Sequence, residues 1–124
     1  MDAANERTGA PGDDLARFTV LSTDGDGNGE AIGTSVVIGV AGELDAQSGA
    51  QLRTLLAQAF EGRPGEVVVD LSEVEFIDSV GLSVLVTAHN RGESQTIPFT
   101  VRSPSPPCQR VFEITRLIDV LRIT

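Results

Sequence analysis

The sequence predicts a single α/β domain, a mixed and largely parallel sheet of four to five strands packed with about three helices. Three observations lead there. Short β-branched runs alternate with stretches whose apolar residues recur at i, i+3, i+4 and i+7. The links between them are short, which favours parallel neighbours joined by helical crossovers. The length of 124 residues suits one domain of roughly 100 residues with a tail.

Residues 1–16 are polar, acidic and rich in Gly, Pro and Ala, so a disordered tail is expected there and the domain is set at 17–124. RFTVL (17–21) reads as a short strand and SVVIGVA (35–41) as a second. The glycine-rich STDGDGNGEAIG between them makes a long-looped hairpin. From about residue 46 a helix follows, with Leu52, Leu55, Leu56, Ala59 and Phe60 on one stripe, Asp45 as N-cap and Gly62 as stop. EVVVDL (66–71) is nearly continuous in apolar residues, as a central strand covered on both faces requires. Leu82, Leu85, Val86 and His89 predict a helix from about Val80 to Arg91, ending at Gly92. IPFTVR (97–102) is a further strand. Ser105 with Pro106 and Pro107 opens a third helix, and VLRIT closes as a last strand.

Composition narrows the function. Eighteen acids face nine arginines and no lysine, a net charge of −9, which argues against nucleic acid or an anionic membrane as partner. Cys108 is the single cysteine, so no internal disulfide forms, and it reads as a small buried apolar group. The N-terminus has neither a basic start nor an apolar h-region, and no apolar run spans a bilayer, so a cytoplasmic protein is expected.

Two chemical sites are weighed and set aside. DGDGNGE (24–30) begins like a calcium loop, with Asp24, Asp26, Asn28 and Gly29 at positions 1, 3, 5 and 6. Position 12 is Ser35 rather than Glu, it opens a strand, and no helix flanks the loop. A serine hydrolase would need a base near Ser79. The one histidine, His89, falls ten residues later, about 15 Å along the same helix, and there is no G-x-S-x-G elbow. With no Walker loop, G-x-G-x-x-G or metal-ligand cluster, neither an enzyme nor a cofactor or metal is expected.

What remains is FIDSVGLSVLV (76–86), where an acid and a hydroxyl interrupt an apolar run. Capping of the helix explains one polar residue there, but Asp78 and Ser79 are two in succession. VVVDLSEVEFIDSVGLSVLV resembles the signature of the STAS family, the domain of bacterial anti-sigma factor antagonists, with its strand ending in Asp-Leu and its D-S-x-G-L turn opening a helix. VAGELDAQSGAQL is similar to the family's G-E-L-D segment, and the likeness extends over residues 18–123. The resemblance implies a partner-switching protein. Unphosphorylated, it binds an anti-sigma factor that is also a serine kinase and so releases a sigma factor. Phosphorylation of the motif serine ends the complex, and a metal-dependent phosphatase resets it. Carried over, the phosphoacceptor is Ser79. The partner-binding face is Asp78, Ser79, Val80, Gly81 and Leu82 with Gly42, Glu43 and Asp45. Ser83, one turn on, reads as a neutral helix residue. Many members add a final helix that this sequence does not continue into, so part of the sheet is expected to be covered differently. The same fold also serves as a non-phosphorylated scaffold or ligand-sensing module, binding a nucleotide or a lipid-transport partner; the intact D-S-x-G-L turn favours the switch.

Overall fold

Four strands form one sheet in the order β1-β2-β3-β4: β1 is Arg17–Thr23, β2 Ser35–Leu44, β3 Glu66–Ile77 and β4 Phe99–Arg102. The computed structural model describes residues 16–23 and 34–124. The expected tail up to residue 15 and the 24–30 loop lie outside the described residues. β1 runs antiparallel to β2, whereas β2, β3 and β4 are mutually parallel, so the expected hairpin and crossovers are both present. α1 (Ala46–Glu61) joins β2 to β3, α2 (Ser79–Gln95) joins β3 to β4, and α3 (Pro106–Thr115) follows β4.

One continuous core fills the molecule. Val36, Ile38 and Val40 of β2 and Val67, Val69 and Leu71 of β3 meet Leu52, Leu56 and Phe60 of α1 and Val84, Leu85 and Ala88 of α2. Cys108 and Phe112 of α3 are fully buried in the same cluster. Burial pushes the Cys108 thiol up, as befits a packing group rather than a nucleophile.

Three elements differ from expectation. β3 runs to Ile77, six residues past the expected end, because it follows β2 as far as Leu44 and gains one extra residue twice on the way. Its register against β2 slips between Gly39/Ala41 and again between Gly42/Glu43. These bulges keep Val74 and Ile77 in phase with Gly42 and Leu44 of β2, at the cost of a regular alternation in the sequence. α2 passes through Gly92 and stops at Thr96, which takes the left-handed conformation at φ 60°. Gly92 serves packing instead: a Cβ there would lie 2.5 Å from the Ile97 carbonyl oxygen. Finally, the expected last strand is reduced to one parallel bridge, Val101 with Ile123. A left-handed Arg116 and the 3₁₀ turn Leu117–Asp119 use up the approach, leaving only the last residues aligned with β4.

Candidate functional site

The parallel strands β2 and β3 end side by side, with buried Leu44 paired to buried Ile77. Each runs directly into a helix through an aspartate. The Asp45 carboxylate accepts from the amides of Gln47 (3.2 Å) and Ser48 (3.1 Å), while the Asp45 amide donates to the Ser48 hydroxyl at 2.9 Å. That is a capping box in which serine takes the place of the usual Glu. The buried Ser48 hydroxyl donates in turn to the Glu43 carbonyl at 2.6 Å, tying the 42–45 turn to α1. The Ser48 amide, followed by the lesser donors around it, holds the Asp45 carboxyl below its ordinary range against an opposing effect of burial. Gly42 takes φ 94° beside the second bulge of β3, a backbone position that a side chain would strain.

Asp78 does the same for α2. Its Oδ1 accepts from the amides of Val80 (2.9 Å) and Gly81 (3.0 Å). Its own amide donates to the Leu44 carbonyl at 3.1 Å, so the two turns are joined by a backbone hydrogen bond. Gly81 is buried against that same carbonyl, where a Cβ would sit 2.7 Å from the oxygen. Gly49 of α1 lets Val80 in close, with a built Cβ 3.4 Å from Val80 Cγ1. The D-S-x-G-L and G-E-L-D segments therefore form one unit, bound through main-chain groups and two glycines.

With Asp78 as the cap, Ser79 is the first helical residue, exposed, and its hydroxyl makes no hydrogen bond among the described residues. Ser83 differs, since its hydroxyl donates to the Val80 carbonyl at 2.8 Å. Of the residues expected on a binding face, Ser79 is exposed. Gly42, Glu43, Asp45, Asp78, Val80 and Leu82 are half-buried, and Gly81 is buried. Gly81 accordingly acts by close packing and offers no surface of its own. His89 lies half-buried at the other end of α2, in a hollow of about 230 Å³ with Glu93, Thr96, Phe99 and Arg122.

Sequence reasoning missed Phe76. The second bulge turns it out of the core to pair across from Glu43, and it stays 48% exposed between Glu75 and the Asp78–Ser79 turn. Glu73 and Glu75 on the same strand are exposed as well. This end of the molecule thus presents a serine hydroxyl, one aromatic ring and several carboxylates.

A four-stranded mixed sheet whose parallel strands deliver a D-S-x-G-L turn to one end is the architecture of a STAS domain. The family model described as Mlab, STAS domain matches residues 30–122, and the chain belongs to that family. It is 34% identical over 85 residues to the anti-sigma-B factor antagonist of Listeria monocytogenes, spanning 68% of this chain and 74% of that one. It is 29% identical over 105 residues to the anti-sigma-F factor antagonist RsfB of Mycobacterium tuberculosis, spanning 85% and 81%. The crystal structure of an anti-sigma factor antagonist from Mycobacterium paratuberculosis aligns at a TM-score of 0.69 and 28% identity, covering 94% of this chain and 89% of that one. SpoIIAA of Bacillus in its phosphorylated form shares the fold, at a TM-score of 0.63 and 22% identity over 87% of this chain and 91% of that one.

Proposed function

We propose that this chain is an anti-sigma factor antagonist switched by phosphorylation of Ser79. Unphosphorylated, it binds an anti-sigma factor with serine kinase activity through the end of the molecule that carries Ser79, Phe76 and Glu43. Phosphorylation by that kinase ends the complex, and a metal-dependent phosphatase restores it in the cytoplasm. The observation that carries this reading is the division of labour at the start of α2. Asp78 caps the helix, which leaves the Ser79 hydroxyl exposed and without a partner among the described residues. The relatives, themselves anti-sigma factor antagonists, supply the class of partner.

Electrostatics suits a switch of this kind. A phosphoserine carries about −1.5 to −2 charges near pH 7. At a helix N-terminus that charge is favoured by roughly 0.3–1 kcal/mol, so the domain stays folded. In a docked interface the same group must be desolvated beside Asp78 and near Glu43. A hundredfold loss of affinity takes only about 2.8 kcal/mol, and misplaced interfacial charge costs several.

The test is intact-mass spectrometry of the protein recovered from its native host, beside the Ser79→Ala variant. A fraction heavier by about 80 Da, the mass of one added phosphoryl group, that disappears in the variant supports the switch. Absence of that fraction under growth, starvation and stress refutes it, and leaves a STAS module that binds its partner without phosphorylation.

A further inference from the structure

The two edges of the sheet are treated differently. Along β4, the chain's last residues supply partners: the Val101 amide donates to the Arg122 carbonyl at 2.8 Å, and the Thr124 amide to the Val101 carbonyl at 3.0 Å. β1 forms the opposite edge, and β2 is its only strand neighbour among the described residues. It has none of the features that usually blunt an edge: RFTVLST contains no proline, no acid and no bulge, and its one charge is Arg17. Val20 and Leu21 are 49% and 64% exposed at its centre.

On the helix side of β1 a groove of about 470 Å³ is lined by Val20, Val36, Leu55 and Ala59 with Ser22 and Gln58, and among the described residues no charged side chain lines it. On the other face of the strand Arg17 and Arg102 balance Asp70 and Glu73 around Thr19 and Leu21. Against a net charge of −9 for the chain, that neutrality decides the occupant. Two copies of an acidic molecule repel wherever unbalanced carboxylates meet, and among the described residues this edge carries no excess of acids.

We propose that β1 pairs with β1 of a second copy, antiparallel about a two-fold axis at Val20, to make a continuous eight-stranded sheet. This register overlaps all seven residues of the strand, because Val20 is its midpoint. Val20 then faces its own counterpart over the two grooves, and Leu21 lies opposite Thr19 on the other face. Arg17 falls opposite Thr23 of the other chain. Because the β4 edge is already capped, the contact closes as a dimer and does not propagate. β1 reaches only as far as Ala41 of β2, three residues short of Leu44, so the Ser79 end stays uncovered.

The experiment is light scattering coupled to size exclusion on the full chain over a concentration series, with Val20→Glu and Val20→Cys beside it. Twice the chain mass of 13.0 kDa is expected for the unaltered protein at tens of micromolar. Val20→Glu, which sets two carboxylates face to face, is expected to run at the chain mass with an unchanged circular dichroism spectrum. Directly opposed residues in an antiparallel pair have Cα atoms about 4.5–5.5 Å apart, within disulfide range. Val20→Cys should therefore cross-link when diamide takes up the two thiol hydrogens. The background is low because Cys108 is buried, and Ile114→Cys, exposed on α3, is the control that should not cross-link. A chain mass at every concentration overturns the proposal, whether the edge is bare or covered by residues 1–15. So does a dimer that survives Val20→Glu or cross-links equally through Ile114→Cys.

Discussion

Asp78 and Ser79 are neighbours with opposite duties, and the difference is measurable. The Asp78 carboxylate satisfies two amides that α2 would otherwise leave open, while the Ser79 hydroxyl supports nothing in the described fold. Asp78→Ala is therefore expected to cost about 1 kcal/mol, seen as a fall of about 4 °C in melting temperature for a domain of this size. Ser79→Ala should stay within about 0.5 kcal/mol of the parent. Equal losses from the two would show that Ser79, too, is structural. A second expectation concerns acid. The Ser48 donors hold Asp45 below the ordinary carboxyl value of 3.8. For Asp70 burial acts upward, but the Ser72 hydroxyl and amide with the Arg102 guanidinium (3.0 Å) outweigh it, and its carboxyl is lowered too. Both carboxyls bind a proton more readily in the unfolded chain. Their contribution is complete above about pH 3.8 and is lost as pH falls through the lowered folded values. Urea midpoints should hold between pH 7 and 5 and fall toward pH 3, and the Asp45→Asn, Asp70→Asn double variant should flatten that fall. An unchanged slope in the variant would place the acid sensitivity elsewhere.

At the scale of elements, β3 shows both what the sequence reveals and what it hides. EVVVDL reads as a buried strand because Val67, Val68, Val69 and Leu71 are all buried there, flanked by β2 and β4. β4 ends at the Asp70–Arg102 pair, and beyond it two bulges shift the phase. Core positions then fall at 67, 69, 71, 74 and 77, a spacing that matches neither a strand nor a helix. Periodicity alone cannot follow a strand through bulges, because the partner strand sets the phase. The caps needed no partner strand, so Asp45 and Ser105 were legible from local chemistry. Asp78 and Ser79 were legible as a pair, but assigning the cap to Asp78 took coordinates. Phe76 was hidden for the same reason as the end of β3. Its exposure beside Ser79 gives the third expectation: Phe76→Ala should leave the melting temperature within about 2 °C of the parent, since few core contacts are lost. It should also weaken the complex with the anti-sigma partner at least tenfold, because exposed aromatics at interface centres often carry 2 kcal/mol or more. Thermal denaturation reads the first, and titration calorimetry with the anti-sigma partner co-purified from the native host reads the second. Unchanged affinity would remove Phe76 from the docking face.

For the whole molecule, charge separates the two surfaces. The Ser79 end carries Glu43, Glu73, Glu75 and Asp78 on a chain of net charge −9, whereas among the described residues no charged side chain lines the helix-side groove beside β1. A partner at the acidic end must bring cations, so its approach is steered and screened by salt. A neutral, largely apolar edge meeting its own copy gains from salt instead, because screening relieves the repulsion between two acidic bodies. Raising ionic strength from about 50 to 300 mM, where the Debye length falls below about 8 Å, should slow association with the anti-sigma partner several-fold. Its dissociation rate should change little. Across the same range the light-scattering mass of the antagonist alone should hold or rise. Stopped-flow association and light scattering on one preparation would read both trends. If salt weakened both contacts alike, the β1 edge would be an ionic contact and its neutrality would not explain self-association. If salt spared the complex with the anti-sigma partner, Phe76 would be guiding the encounter, and the acids around Ser79 would matter only once a phosphate joins them.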